Sequence, residues 1–119
     1  MKEFEGIDLN DSFVLSWEQI GNHIIFNLEA SIWPESKHYS MPKPDEYTCY
    51  KPARLVFGGV SDVSGLSAME NTRSTFDPDN EVDYGNIDDL VKTSEGFLVY
   101  GDFGEVVITG GSMRFEIGT

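Results

Sequence analysis

Apolar and polar residues alternate most regularly from His23 to Ile32, with Ile24, Phe26, Leu28 and Ala30 on one side and Ile25, Asn27 and Glu29 on the other. A period of two is what an extended chain with one buried face requires, because successive side chains of a strand point to opposite faces. Just upstream, residues 12–18 mix β-branched and aromatic types, and Ile20-Gly21-Asn22 offers the positive-φ tolerance that a tight reversal needs. Together the two segments predict a β-hairpin.

Beyond it the pattern breaks into short pieces. Pro34, Pro42 and Pro44 exclude a central strand and predict a long loop over residues 33–44. β character resumes over 46–50, is interrupted at Pro52 and continues through Arg54-Leu55-Val56-Phe57 to Gly58-Gly59, a bend or bulge before Val60. Residues 63–69 fit either a strand or a short turn. Apolar residues are sparse over 70–85, which reads as an excursion across the surface. Asn86 is placed to cap a single helical turn, with Asp88 and Asp89 near its N-terminus and Leu90 and Val91 turned inward. The last third reads as three strands, 96–100, 105–109 and 112–117, separated by Gly101-Asp102-Phe103-Gly104 and Gly110-Gly111. The expected architecture is mainly β: an antiparallel sandwich or partly open barrel of about seven or eight short strands with at most one short helix.

Length and composition add that one core is enough. At 119 residues and 39% apolar content, with eight Phe and five Tyr, the chain has the material for a single domain over residues 1–119. Cys49 stands alone and His23 and His38 are the only imidazoles, so neither a disulfide nor a structural zinc site is expected, and no cofactor. The acidic N-terminal residues lack an apolar run of signal-peptide length and nothing resembles a membrane span, which places the chain in a cytoplasm. Asn10-Asp11-Ser12 matches a glycosylation sequon, a chance match in that setting.

Charge changes the picture most. The net charge is −13, and it is uneven: residues 1–60 hold nine acids and five bases, residues 61–119 twelve acids and three bases. Such a field repels nucleic acid and anionic membrane and accelerates encounter with a basic protein. The densest stretch, Asp77, Asp79, Glu81, Asp83 and Asp88, suits a hard cation by ligand type but not by spacing. Aligned on a calcium loop from Asp77, it puts Val82 at the position that needs glycine and Asp88 where a bidentate Glu should close the shell. A solvated or partner-facing patch is the expectation, without a metal. Asp77, Asp79, Glu81, Asp83, Asp88 and Asp89 are therefore candidate steering charges, with Tyr84 as a candidate aromatic anchor.

Other chemistry is weaker. Tyr84-Gly85-Asn86 and Tyr100-Gly101-Asp102 share a pattern that turn chemistry explains. Cys49, between Thr48 and Tyr50 in an apolar strand, reads as a small buried hydrophobe, and no nucleophile elbow, phosphate loop, dinucleotide fingerprint or zincin helix occurs, so no catalytic residue is assigned. Trp33, Tyr39, Tyr47 and Tyr50 cluster around the prolines either as a contact surface or as a lid over an open end of the sheet. An alternative function follows from the first option: a small hydrolase or carbohydrate-binding domain with its site under the 33–45 loop, Trp33, Tyr39 and Tyr47 touching ligand and Glu29 or Glu46 as acid or base. A third reading is a purely structural homo-oligomer joined along an exposed strand edge, and the expected state is a monomer or weak homo-oligomer.

The order of segments resembles a loose set of small bacterial proteins of unassigned function, some carried beside polymorphic toxins as immunity proteins. The resemblance rests on Asp11-Ser12-Phe13-Val14 leading a hairpin through His23-Ile24-Ile25-Phe26-Asn27-Leu28-Glu29, on Leu55-Val56-Phe57-Gly58-Gly59-Val60, and on Tyr100-Gly101-Asp102-Phe103-Gly104 with closing β segments. The position before the Asp-Ser pair, often His in that set, is Asn10 here. The resemblance implies a non-enzymatic protein that neutralises a toxin and supplies no catalytic residue.

Overall fold

The long alternating segments become long strands in the structure, a computed structural model that describes residues 4–44, 49–66, 75–76 and 82–118. Eight strands follow in order: β1 (Ile7–Ile20), β2 (His23–Ile32), β3 (Cys49–Ser64), β4 (Thr75–Phe76), β5 (Val82–Asp83), β6 (Ile87–Lys92), β7 (Gly96–Gly101) and β8 (Gly104–Ile117). Six form one sheet in the order β1-β2-β3-β8-β7-β6, with every neighbouring pair antiparallel, and β4 and β5 form a separate two-stranded ribbon. The sheet curls until its edge strands β1 and β6 touch, which makes the partly open barrel that the pattern predicts. Among the described residues no helix is long and apolar enough to cross a membrane.

The curl depends on one bend. β3 and β8 pair along almost their whole length, yet β2 pairs only with residues 49–57 of β3 and β7 only with 104–109 of β8. Between the halves lie Gly58-Gly59 on β3 and Gly110-Gly111 on β8, where Gly59, Gly110 and Gly111 take φ of 70°, 76° and 81°. Positive φ is costly for residues with a Cβ, so glycine lets both strands kink together and turn the second half of the sheet over the first.

Three expectations change accordingly. Gly110-Gly111 is a kink inside β8, not a hairpin turn, so the last third holds two strands rather than three. Pro52 lies within β3, opposite Glu29. Its carbonyl accepts a 2.7 Å bond from the Gly118 amide, so the ring nitrogen faces that same flank, just past the end of β8, and the ladder with β2 loses no donor. Asn86 starts no helix: the following residues are β6, because Leu90 and Val91 pair with Val99 and Leu98 and the backbone groups gain a partner strand.

The core fills the inner face. Val14, Trp17, Ile24, Phe26, Leu28, Leu55, Phe57, Ile87, Phe97, Val99, Phe103 and Ile108 belong to one buried cluster. Its centre is aromatic, with Phe26 touching Trp17, Phe57 and Phe103 at centroid distances of 6.5, 6.3 and 5.2 Å. Phe103 is the surprise, a residue of the β7–β8 turn that folds inward and is fully buried. The outer face is not wholly wet either, since Ile25 and its cross-strand partner Val56 are both buried.

The seam between β1 and β6 explains the Asp11-Ser12 motif. β1 leaves register with β2 between Asp8 and Phe13, and Ser12 replaces the lost ladder: its hydroxyl donates to the Asp8 carbonyl at 2.7 Å and accepts from the Ser31 amide at 2.9 Å. Two amide side chains then bridge the seam. The Asn10 Nδ2 donates to the carbonyls of Ile87 (3.2 Å) and Asp88 (2.9 Å), and the Asn86 Nδ2 to that of Ser12 (2.6 Å), beside backbone bonds joining Val14 to Tyr84 and Gly85. Replacing Asn86 by Leu should cost about 1–3 kcal/mol, because it strands the Ser12 carbonyl beside a buried side chain. Urea unfolding measures the loss, and a change below about 0.5 kcal/mol would mean that the seam is held by the backbone pair alone.

Candidate functional site

The candidate charges fall unevenly on this scaffold. Asp77, Asp79 and Glu81 lie outside the described residues; Asp83 is in β5, whose backbone contacts β1. Asp88 and Asp89 are exposed at the start of β6. Tyr84 is half-buried, its ring meeting Trp17 edge-on at 5.1 Å, so it serves the core edge as well as any contact.

What the sequence separates, the seam unites. A cleft of about 350 Å³ runs between β1 and β6, floored by Phe4, Ile7, Leu9 and Leu90 and bordered by Asp8, Asp88 and Asp89. Asp8 and Asn10 come from one end of the chain and the β6 carboxylates from about eighty residues away. Glu105 follows Asp89 across the sheet, both being in register with Tyr100, and Asp102 lies in the β7–β8 turn beside Gly85, each of the two exposed. Among the described residues, none of Asp8, Asp88, Asp89, Asp102 and Glu105 has a lysine or arginine within ion-pair distance. Arg54 on β3 and Arg114 on β8 hold Glu116 at 3.7 and 2.7 Å. The hydrogen bond from Arg114, reinforced by the charges of Arg114 and Arg54, keeps the Glu116 carboxyl below its ordinary range.

The two Tyr-Gly-Asx segments turn out to be neighbours. Ile87 is in register with Gly101; a Cβ on Gly101 would lie 2.7 Å from the Asn86 carbonyl, and one on Gly85 would strike the Asp102 carboxylate. Their glycines allow two turns to nest, a packing role in agreement with turn chemistry.

The proline-rich loop is packed as a lid. Tyr39 lies against the core, Ser36 is buried, and the Lys51 ammonium donates to the His38 carbonyl at 2.6 Å. Cys49 is buried beneath it with the Ser40 hydroxyl 3.7 Å from its sulfur, and neither His23 nor His38 bonds to it. Trp33 is exposed at the loop's start, Tyr47 and Glu46 lie outside the described residues, and Glu29 occupies the outer face, opposite to Ala30. Trp33, Tyr39 and Glu29 therefore do not converge on one pocket. The 740 Å³ cleft between the β6–β7 turn and the β8 kink has one charge of each sign, Lys92 and Glu95. No three His, Cys, Asp or Glu side chains among the described residues are arranged to hold a metal ion.

Asp8, Asp102 and Glu105 were missed by sequence reasoning because each is an isolated acid in a strand or turn, and only the closing of the barrel groups them. No protein-family model matches the chain, no curated protein matches it, and no solved structure matches its fold.

Proposed function

We propose that this chain is a non-enzymatic acidic binding protein that engages a basic protein partner, and that the partner is a toxin which it neutralises. The observation that carries the first statement is the set of Asp8, Asp88 and Asp89 around the seam cleft and Glu105 in register with Asp89 through Tyr100, with Asp102 in the adjoining turn, none with a described cation to pair with, while Arg54 and Arg114 serve Glu116. Unpaired surface carboxylates of one sign add their potentials, which raises the encounter rate with a cationic surface and penalises anionic ones. The apolar floor of the seam cleft suits the methylene stem of a lysine or arginine whose head reaches the rim. The toxin assignment rests on the resemblance to small bacterial immunity proteins.

The test starts from the gene that adjoins this one. Where that gene encodes a large protein with a basic C-terminal domain, the domain should bind this chain with an association rate that falls steeply as salt rises. Combining Asp8→Asn, Asp88→Asn and Asp89→Asn should slow association about tenfold at low salt, leaving the melting temperature almost unchanged. Equal rates for variant and parent at low salt would remove the electrostatic basis, and failure of the chain to relieve the toxicity of that domain would remove the immunity role.

A further inference from the structure

The outer face of β6, β7 and the first half of β8 carries a row of apolar side chains outside the core, Val91 and Val107 exposed and Leu98 between them half-buried. Val91 pairs with Leu98 and Leu98 with Val107, so the three lie side by side across three strands. Their alternates Leu90, Phe97, Val99, Val106 and Ile108 belong to the core or pack on it, which puts Val91, Leu98 and Val107 outside by the period of two. Val91 and Val107 are 38% and 42% exposed. The flanking rows follow from the same register: Asp89, Tyr100 and Glu105 on one side, Gly96, Thr109 and Asp62 on the other. The face thus has an apolar centre, a tyrosine and an acidic rim, the layout of a contact patch rather than of a solvated sheet surface.

Charge selects the occupant. A second copy would bring another net charge of −13 and set acidic rim against acidic rim, which opposes self-association. No lysine or arginine stands in the three rows; Lys92 pairs with Phe97 and so belongs to the opposite face. We propose that this face docks an amphipathic cationic segment of another protein, apolar along its centre and rich in lysine or arginine along both margins. The proposal rests on the reading of the chain as a binder of basic partners and adds where and how contact is made: Val91, Leu98 and Val107 supply desolvated contact, and Asp62, Asp89 and Glu105 set its orientation.

The experiment uses the whole chain, labelled with ¹⁵N, and three synthetic peptides of equal length: alternating lysine and leucine, alternating lysine and serine, and alternating glutamate and leucine. Amide shifts should move in β6, β7 and residues 104–109 with the lysine-leucine peptide, which should bind about tenfold tighter than the lysine-serine peptide, while the glutamate-leucine peptide should not bind. Changing Val91→Thr together with Val107→Thr preserves β-branched shape and should bring the lysine-leucine affinity down to the lysine-serine level. The unperturbed amide spectrum elsewhere confirms that this variant is folded. If the lysine-leucine peptide binds but perturbs another face, or binds the variant equally well, the docking face is wrong and the basic-partner function survives. If neither cationic peptide binds at low salt, both fall.

Discussion

Phe26→Ala is expected to lower the unfolding free energy by about 3–5 kcal/mol. Phe26 is fully buried on the central part of β2, and its ring meets Trp17, Phe57 and Phe103, which come from β1, β3 and the β7–β8 turn. These contacts tie the two halves of the folded-over sheet to each other, so truncation opens a cavity that no single strand can move to fill. Interiors are packed at crystal-like density, and the loss of a large aromatic group adds a cavity cost to the lost transfer energy. The effect is a large fraction of the 5–15 kcal/mol of typical domain stability, so partial unfolding at room temperature is the expected phenotype. Phe13→Ala is the comparison, because Phe13 is half-buried against Tyr50 at 5.7 Å, outside the core cluster, and should cost roughly 1 kcal/mol. Guanidinium unfolding of both variants decides the point; similar losses for the two would contradict a core centred on Phe26.

The second large effect belongs to the kink in β8. Gly111→Val should destabilise by about 2–4 kcal/mol, the sum of a β-branched residue forced to positive φ and of overpacking against the facing strand. Gly111 has φ of 81°, and a Cβ there would lie 2.5 Å from the Gly58 carbonyl oxygen and 3.3 Å from the Gly59 carbonyl carbon. Relief requires β3 and β8 to separate at the point where the sheet turns over itself. Gly21→Ala provides the contrast. That glycine also has positive φ, 58°, but a Cβ meets nothing within 4 Å, so only the backbone term of about 1 kcal/mol remains. Amide exchange should accelerate along residues 104–117 in Gly111→Val and stay near the parent in Gly21→Ala. Equal stability of the two variants would show that the kink tolerates side chains and that the bend has another cause.

The same residues mark what is legible without coordinates. The β1–β2 hairpin and the 23–32 strand are local facts: alternation, a Gly-Asn reversal and a β-rich flank all point the same way, and β2 has the predicted bounds. Double glycines are less informative, because positive φ serves a reversal and a kink equally well. Gly58-Gly59 and Gly110-Gly111 face each other across β3 and β8, a pairing that local pattern does not reveal, so the first reads as a bend and the second as a turn. Pro52 and Asn86 misled for a related reason. A proline is harmless where the flanking strand ends, and a capping residue followed by acids stays extended when β7 offers its backbone.

Alternation, turn chemistry and composition thus specify an antiparallel β chain with a surplus of carboxylates in its second half, since each depends only on near neighbours and on counting. Which carboxylates stand together was decided by closure of the barrel. Asp8 reaches Asp88 because Asn10 and Asn86 bind backbone carbonyls across the seam, and Val91 reaches Val107 because β7 lies between them. Contacts over such sequence separations come from the packing of a common core, and no short stretch of sequence contains the information that packing combines.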